Sequence, residues 1–269
     1  MPELPEVENI CHSMRLSILG TTIINSEVRN GNLRFPISKE IYTINYQKIL
    51  DIQRRARYII IKLNKGYLII HLGMSGSLRL LPLGTLPTKH DHIDLVITTN
   101  KVIRYTDPRR FGYWMWSNDP DKCYHLQKLG PEPLSKNFSS SYLFSESRNK
   151  RLAVKSWLMD NKLVVGIGNI YANEALFRAG ILPTRHALTL TLCESNKLVN
   201  AIKTVLQCAI ICGGTTLRNF INPLGITGKF SKKIQVYGKT GKLCNQCGTV
   251  IEHIKCRQRS TFFCIKCQK

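Results

Sequence analysis

The sequence predicts an α+β fold: a β-sandwich at the N-terminus, a helical region after it and a zinc finger at the C-terminus. Three observations carry this. Short β-rich runs broken by Gly, Asn and Pro fill the chain to about residue 125. From about residue 140 the hydrophobic period becomes helical. Two Cys-x2-Cys pairs close the sequence.

Val7, Ile10, Cys11, Met14 and Ile18 fall on one face of an expected first helix. The runs TTIINSEV, RYIIIKL, GYLIIHLG, SLRLL, HIDLVITT and KVIRYTD are the expected strands. Their spacing fits a sandwich or a flattened barrel. The stretch LGPEPLSKN, residues 129–137, holds two prolines and reads as a linker. Thr191 and Glu194 form a capping box before an apolar-periodic run from Leu198 to Ile211, which Gly213 and Gly214 stop. Residues 215–234 read as loop. The expected division is 1–130 for the β-sandwich domain, 131–149 for the linker, 150–230 for the helical domain and 235–269 for the finger.

The chain carries 39 basic and 17 acidic residues, a net charge of +22. Such an excess, spread along the chain, favours a polyanionic partner, either nucleic acid or an anionic membrane surface. No eighteen-residue apolar run is present, so no spanning helix and no membrane partner are expected. The start MPELPEVE lacks the apolar stretch of a secretion signal. The ten cysteines are therefore expected to be reduced thiols in a cytoplasmic protein, four of them on a metal.

Those four are Cys244, Cys247, Cys264 and Cys267. Each pair places two thiolates on one tight knuckle, and the insert between the pairs is long enough for a hairpin. Four thiolates fit one closed tetrahedral structural Zn2+. A unit of this size has little core of its own, so metal is expected to supply its folding energy. Lys255, Arg257, Gln258 and Arg259 lie in the insert, as a DNA-facing turn or a solvated basic face.

Met1 is expected to be removed ahead of the small Pro2, leaving a secondary amine. An α-amino group has a reference pKa of about 7.7–8.0, so part of it is unprotonated near neutrality. A secondary amine that attacks a carbonyl-like carbon gives an iminium, already cationic and ready to accept electrons. Glu3 stands beside it as a candidate acid, with Glu6 one turn on. Read alone, Met1-Pro2-Glu3 also fits an ordinary helix start. Segments 73–79, 89–94 and 104–114 put basic residues among Gly and aromatics at expected turns. There Arg104, Arg109 and Arg110 suit phosphate, and Met74 and Phe111 suit either a wedge between bases or the core. His90 and His92 make a His-x-His pair, weak as a metal motif and equally readable as surface histidines. The turn Gly166–Gly168 before Asn169 is either a phosphate site or a tight corner between helices.

Taken together, these residues resemble the formamidopyrimidine-DNA glycosylase family over essentially the whole chain. The matching segments are PELPEVE, QRRARY at 53–58, HLGMSGSLR at 71–79, KHDHID, YTDPRRFG at 105–112, LGPEPLS, WLMDNKLVVGIGNIYANE at 157–174, GGTTL at 213–217 and the four cysteines. The resemblance implies a helix-two-turns-helix domain between sandwich and finger, double-stranded DNA with oxidised bases as partner, and a monomeric, bacterial-type, nucleoid-associated enzyme. It implies that Pro2 attacks C1′ of the damaged nucleotide and that Glu3 helps to open the sugar, with β- and then δ-elimination after base release. Arg259 matches the finger arginine of the later elimination. His90, Arg109 and Lys150 match DNA contacts, Met74, Arg109 and Phe111 the trio that fills the void left by the lesion, and Asn169 a phosphate ligand. Two positions depart from the family. Arg57 stands where QRRAKY carries a catalytic lysine, and NPLGITGKF at 222–230 replaces the usual Ser-Asp-Gly-Lys/Arg-Pro-Gly stretch. Those departures leave open an oxidised-pyrimidine glycosylase of the endonuclease VIII kind, or a lesion-binding protein with weakened catalysis.

Overall fold

The computed structural model describes residues 2–216 and 222–269. The removal of Met1, and the part of the 215–234 loop and GGTTL readings that falls on 217–221, lie outside the described residues. The chain forms two compact units, one of Met1–Gln127 with Cys212–Lys229 and one of Lys128–Ile211 with Phe230–Lys269.

The first unit opens with α1 (Leu4–Ile18). Glu3 and Glu6 cap it reciprocally in a capping box, the Glu3 amide donating to Glu6 Oε2 at 2.8 Å. The predicted face Val7, Ile10, Cys11, Met14 and Ile18 is buried. Eight strands follow: β1 (Ile23–Val28), β2 (Ile49–Arg55), β3 (Tyr58–Leu63), β4 (Gly66–His71), β5 (Ser77–Pro82), β6 (Asp91–Ile97), β7 (Lys101–Thr106) and β8 (Tyr113–Ser117), with the short α2 (Tyr124–Gln127) after them. They make two antiparallel four-stranded sheets, ordered β1-β6-β7-β5 and β2-β3-β4-β8. Ile93, Leu95 and Ile103 of one sheet and Ile59, Ile61 and Ile70 of the other enter one core with the α1 face, which makes the unit a sandwich.

The six predicted runs each become a strand; β2 and β8 are not among them. β2 reads ILDIQRR and buries only Ile49 and Ile52, so polar residues obscure its alternation. β8 reads YWMWS, an aromatic run with no period-two signal.

The second unit is helical: α3 (Ser140–Ser147), α4 (Val154–Leu158), α5 (Asn169–Ala179) and α6 (Leu192–Ile211). Thr191 and Glu194 cap α6 as predicted, with Glu194 N donating to Thr191 Oγ1 at 3.1 Å and Thr191 N to Glu194 Oε2 at 2.9 Å. Beyond Ile211, Gly213 and Gly214 take φ of +77° and +84°, which favours glycine there. The 129–137 stretch runs along this unit, its Gly130 amide donating to Asn161 O at 2.8 Å and its Pro131 carbonyl accepting from Val165 N at 3.2 Å.

β9 (Glu252–Cys256) and β10 (Arg259–Phe263) form the finger hairpin. Arg257 and Gln258 at its tip have φ of 45° and 60°, the left-handed pair that a two-residue hairpin turn requires. The finger's core is shared: Val236, Ile251, Phe262 and two of the cysteines pack on Phe177 of α5. No helix is long and apolar enough to cross a membrane among the described residues.

Candidate DNA-repair site

In the first unit the chain start is fixed by one buried carboxylate. Glu6 Oε2 takes the Glu3 amide, and Glu6 Oε1 takes the Thr215 amide at 2.7 Å. Glu3 and Glu6 are both buried, whereas Pro2 is partly exposed. Gly214 passes so close that an added Cβ would lie 3.0 Å from Glu6 Oε1. The N-terminal residues are thus clamped to a segment that follows α6, while Pro2 itself stays accessible. The sequence places Glu6 near the amine but carries no signal for Thr215 as its partner.

Arg57 lies in the two-residue turn between β2 and β3 and is buried, an unusual state for arginine at a hairpin tip. Ala56 before it has φ of 55°. Arg54 pins this turn: its Nη1 donates to Ala56 O at 3.1 Å and its Nε to Glu8 Oε2 of α1 at 2.6 Å. The turn is therefore held beside α1, the helix that Pro2 and Glu3 precede.

His71 does not stand out in the sequence. Its ring stacks on Tyr113 at 4.9 Å, and its Nδ1 accepts the Gly73 amide at 3.1 Å. Tyr58 Oη and Tyr113 Oη are 2.8 Å apart. Burial first, then the charges of Arg57, Arg34 and His125, push the His71 pKa down to about 4. The imidazole is neutral at physiological pH and accepts through Nδ1.

Met74 and Phe111 are 43% and 42% exposed, which rules out the core reading for both. The Arg109 guanidinium lies over the Phe111 ring at 4.6 Å. Arg109 and Arg110 are exposed and, with Asn32 and Arg34, line an open cavity of about 700 Å3. His90 is half-buried, its carbonyl accepting the Asp107 amide at 3.0 Å. Two expectations are corrected. Arg104 is not a phosphate ligand: it is 2% exposed, its guanidinium bonding both oxygens of Asp94 at 2.9 and 2.7 Å and the carbonyls of Leu86 and Thr85. Its donors are consumed inside the fold. His92 is not a surface histidine: it is buried, with Nε2 2.8 Å from Asp107 O.

The second unit carries Lys150, Asn169, Arg259 and the four cysteines. Lys150 and Arg259 are exposed. Asn169 begins α5 directly after the Gly168 cap, and its side-chain oxygen is buried without a hydrogen-bond partner among the described residues. Asn173 reaches back one turn to the Asn169 carbonyl at 2.6 Å and accepts the Phe262 amide of β10 at 2.8 Å. Lys155 donates to Ser260 O and Thr261 Oγ1, both at 2.7 Å. Glu174, buried, takes the amides of Gln235, Val236 and Tyr237 at 2.7, 3.0 and 2.8 Å. Finger and helix α5 are thus packed and bonded as one body; the sequence offers no partner for Asn173, Lys155 or Glu174.

The four cysteine sulfurs all lie within 4.8 Å of one another. Cys244 and Cys267 are 3.8 Å apart, and Cys247 and Cys264 3.4 Å. Zn–S bonds of about 2.3 Å in a tetrahedron put sulfurs about 3.8 Å apart, so the donor set fits one structural zinc. No other cluster of three or more such ligands occurs among the described residues.

Residues 1–114 match the profile described as "Formamidopyrimidine-DNA glycosylase N-terminal domain", and residues 129–221 that of its H2TH domain. The chain belongs to the formamidopyrimidine-DNA glycosylase family. Formamidopyrimidine-DNA glycosylases of Yersinia enterocolitica and Yersinia pseudotuberculosis are 56% and 55% identical to it, with full coverage of both chains. Among solved structures, a variant of the Lactococcus lactis enzyme bound to Fapy-dG-containing DNA superposes with a TM-score of 0.93 at 34% identity, covering 100% of each chain. The MutM (FPG) protein of Thermus thermophilus superposes with a TM-score of 0.89 at 36% identity, covering 99% of this chain and 98% of that one. Family membership accounts for the sandwich, the paired helices and the four-cysteine finger found here.

Proposed function

We propose that this chain is a bifunctional formamidopyrimidine-DNA glycosylase and AP lyase of base excision repair. It removes oxidised purines, 8-oxoguanine and formamidopyrimidines, from double-stranded DNA. The observation that carries the reading is full-length kinship combined with a partly exposed proline beside a buried, clamped Glu3. Solved relatives were captured with Fapy-dG and with carbocyclic 8-oxo-G DNA. In this reading the enzyme acts on nucleoid DNA in a bacterial-type cytoplasm.

The chemistry follows from the residues. With Met1 removed, the Pro2 nitrogen attacks C1′ of the damaged nucleotide, the base leaves with the electrons of the glycosidic bond, and the nitrogen gives up its proton. The C1′–O4′ bond then breaks as Glu3 protonates O4′, and the nitrogen lone pair closes an iminium with C1′; loss of a C2′ proton expels the 3′ phosphate, and a second elimination expels the 5′ phosphate. Glu3, held in place through its own amide, serves the sugar. Arg259 at the finger tip and Asn169 at the N-terminus of α5 bind phosphate, as do Lys150 and His90. Met74, Arg109 and Phe111 enter the stack behind the extruded base. Incubation with a panel of lesion duplexes tests substrate class. Excision of 8-oxoguanine opposite cytosine and of formamidopyrimidines is expected; efficient excision of oxidised pyrimidines alone would place the chain with endonuclease VIII instead.

Salt should weaken binding steeply. If about five phosphates are neutralised, the log–log slope of affinity against salt is about −4 to −5. Anisotropy titrations from about 50 to about 200 mM salt check this. A slope near zero would mean that the basic surface faces something other than DNA.

Arg57→Lys should leave affinity intact and speed the chemistry. A guanidinium grips phosphate at least as well as an ammonium, but it cannot shed a proton at neutral pH. General acid–base catalysis contributes about 10²–10⁴-fold, so lysine should raise the single-turnover rate at least about tenfold on 8-oxoguanine DNA. Unchanged glycosylase and strand-cleavage rates would mean that position 57 acts only as a charge.

A further inference from the structure

The exposed residues Met74, Arg109 and Phe111 sit on two separate loops, and one side chain fastens both. Asp107 is completely buried. Its Oδ1 accepts Ser75 Oγ at 2.5 Å, and that same hydroxyl accepts the Arg109 amide at 3.2 Å. Its Oδ2 accepts the Gly112 amide at 2.8 Å and the Tyr105 hydroxyl at 3.0 Å. Ser75 directly follows Met74, and Gly112 directly follows Phe111. The carboxylate therefore grips the chain one residue beyond each exposed apolar side chain.

Its backbone extends the same grip. The Asp107 amide donates to His90 O, and the Asp107 carbonyl accepts the Arg110 amide at 3.2 Å and lies 2.8 Å from His92 Nε2. Arg110 has φ of 56°, a left-handed conformation that is strained for a non-glycine residue and persists only where its surroundings enforce it. The loops also touch backbone to backbone: a Cβ on Gly73, whose φ is +61°, would lie 2.4 Å from the Gly112 nitrogen. Burial, then the neighbouring carboxylate, raises the Tyr105 pKa, so the phenol stays protonated and donates. A buried carboxylate is costly unless donors surround it, and charge-assisted bonds are about twice as strong as neutral ones. Asp107 has donors on both oxygens.

We propose that Asp107 is a positioning residue for base extrusion, joining the Met74 loop and the Arg109–Phe111 loop into one rigid wedge. The inference rests on the reading that these three side chains enter the base stack. It goes beyond that reading by placing the control of the wedge in a residue that cannot touch DNA. Misplacement by about 1 Å can cost about 10²-fold in rate, so loosening the loops should slow steps that need a filled void far more than steps that do not.

The test compares the wild-type chain with Asp107→Asn and Ser75→Ala. Asparagine keeps the shape but presents a donor where one of the oxygens accepted. Ser75→Ala leaves the Tyr105 and Gly112 bonds and removes the link from the Met74 loop to Asp107 together with the acceptor of the Arg109 amide. Three quantities are read: single-turnover excision of 8-oxoguanine from duplex, fluorescence of a 2-aminopurine beside the lesion as the base leaves the stack, and borohydride trapping on a preformed abasic site. Asp107→Asn should lower the excision-to-trapping rate ratio by about tenfold to 10²-fold and slow the fluorescence phase in parallel. Ser75→Ala should do the same to a smaller extent. An equal fall in excision and trapping, or an unchanged ratio in both variants, would overturn the proposal. Should Asp107→Asn fail to fold, Ser75→Ala decides alone. Absence of any adduct or excision with the wild-type chain would instead defeat the glycosylase reading itself.

Discussion

A chain whose N-terminus is extended, by retained Met1 or by a tag, is expected to give no borohydride-trapped adduct with abasic DNA. The reason is electronic. An amide nitrogen has no nucleophilic lone pair, whereas a free α-amine with a pKa near its reference of about 7.7–8.0 is partly neutral at physiological pH. The structure makes this a clean test. The helix beside Pro2 is fixed from Glu3 onward, through the Glu3–Glu6 capping box and the bond from Thr215 to Glu6. An extension ahead of Pro2 leaves those bonds in place, so fold and DNA affinity should persist while covalent chemistry is lost. Trapping yield, DNA affinity and thermal midpoint are measured on the same preparation. Undiminished adduct with a blocked terminus would exclude Pro2 and move the nucleophile to a lysine. Loss of affinity together with trapping would mean that the extension blocks DNA entry and says nothing of the amine, a case that the affinity measurement identifies.

The parts of the fold set by local pattern are legible in the sequence, and those set by distant partners are not. The buried face of α1 follows from a 3.6-residue period, and the capping box of α6 from Thr191 and Glu194. The cysteine spacing points to the cluster that the structure assembles. β8 escapes because its aromatic run has no alternation. Arg104 is misleading because an arginine beside glycines and aromatics looks like a phosphate ligand until Asp94 is found opposite it on β6. Asp107 and Glu6 illustrate the same limit. Each is a carboxylate in a motif, and its role lies in amides and hydroxyls that reach it from elsewhere: Ser75 for the one, Thr215 for the other. The roles of Pro2, Glu3 and Arg259 come from family likeness, since a Met-Pro-Glu start alone fits any helix N-terminus.

Removing the zinc is expected to weaken DNA binding and to loosen the helical unit with it. The sequence points to a finger with little core of its own, and in the structure that core is shared with the helices. Phe177 of α5 is part of the finger core, and the finger is sewn to the helices by Asn173 to Phe262, Lys155 to Ser260 and Thr261, and Gln268 to Ile181. Structural zinc is worth about 10–16 kcal/mol in isolated finger peptides, far more than a hairpin of this size gains without it. In Cys247→Ser the hairpin bearing Arg259 should therefore melt, and α5 should lose its cover over Phe177 and the bond from the Phe262 amide to Asn173, one turn from Asn169. Losing the phosphate bonds proposed for Arg259 and Asn169, at about 1.5 kcal/mol each, would cost about 3 kcal/mol, or about 10²-fold in affinity. Zinc stoichiometry, DNA affinity by anisotropy and amide exchange across α5 read the three parts separately. Full zinc and full affinity in Cys247→Ser would contradict the site. Lost zinc and affinity with unchanged exchange in α5 would show that the finger melts alone, and that its bond to Asn173 does not stabilise the helix it joins.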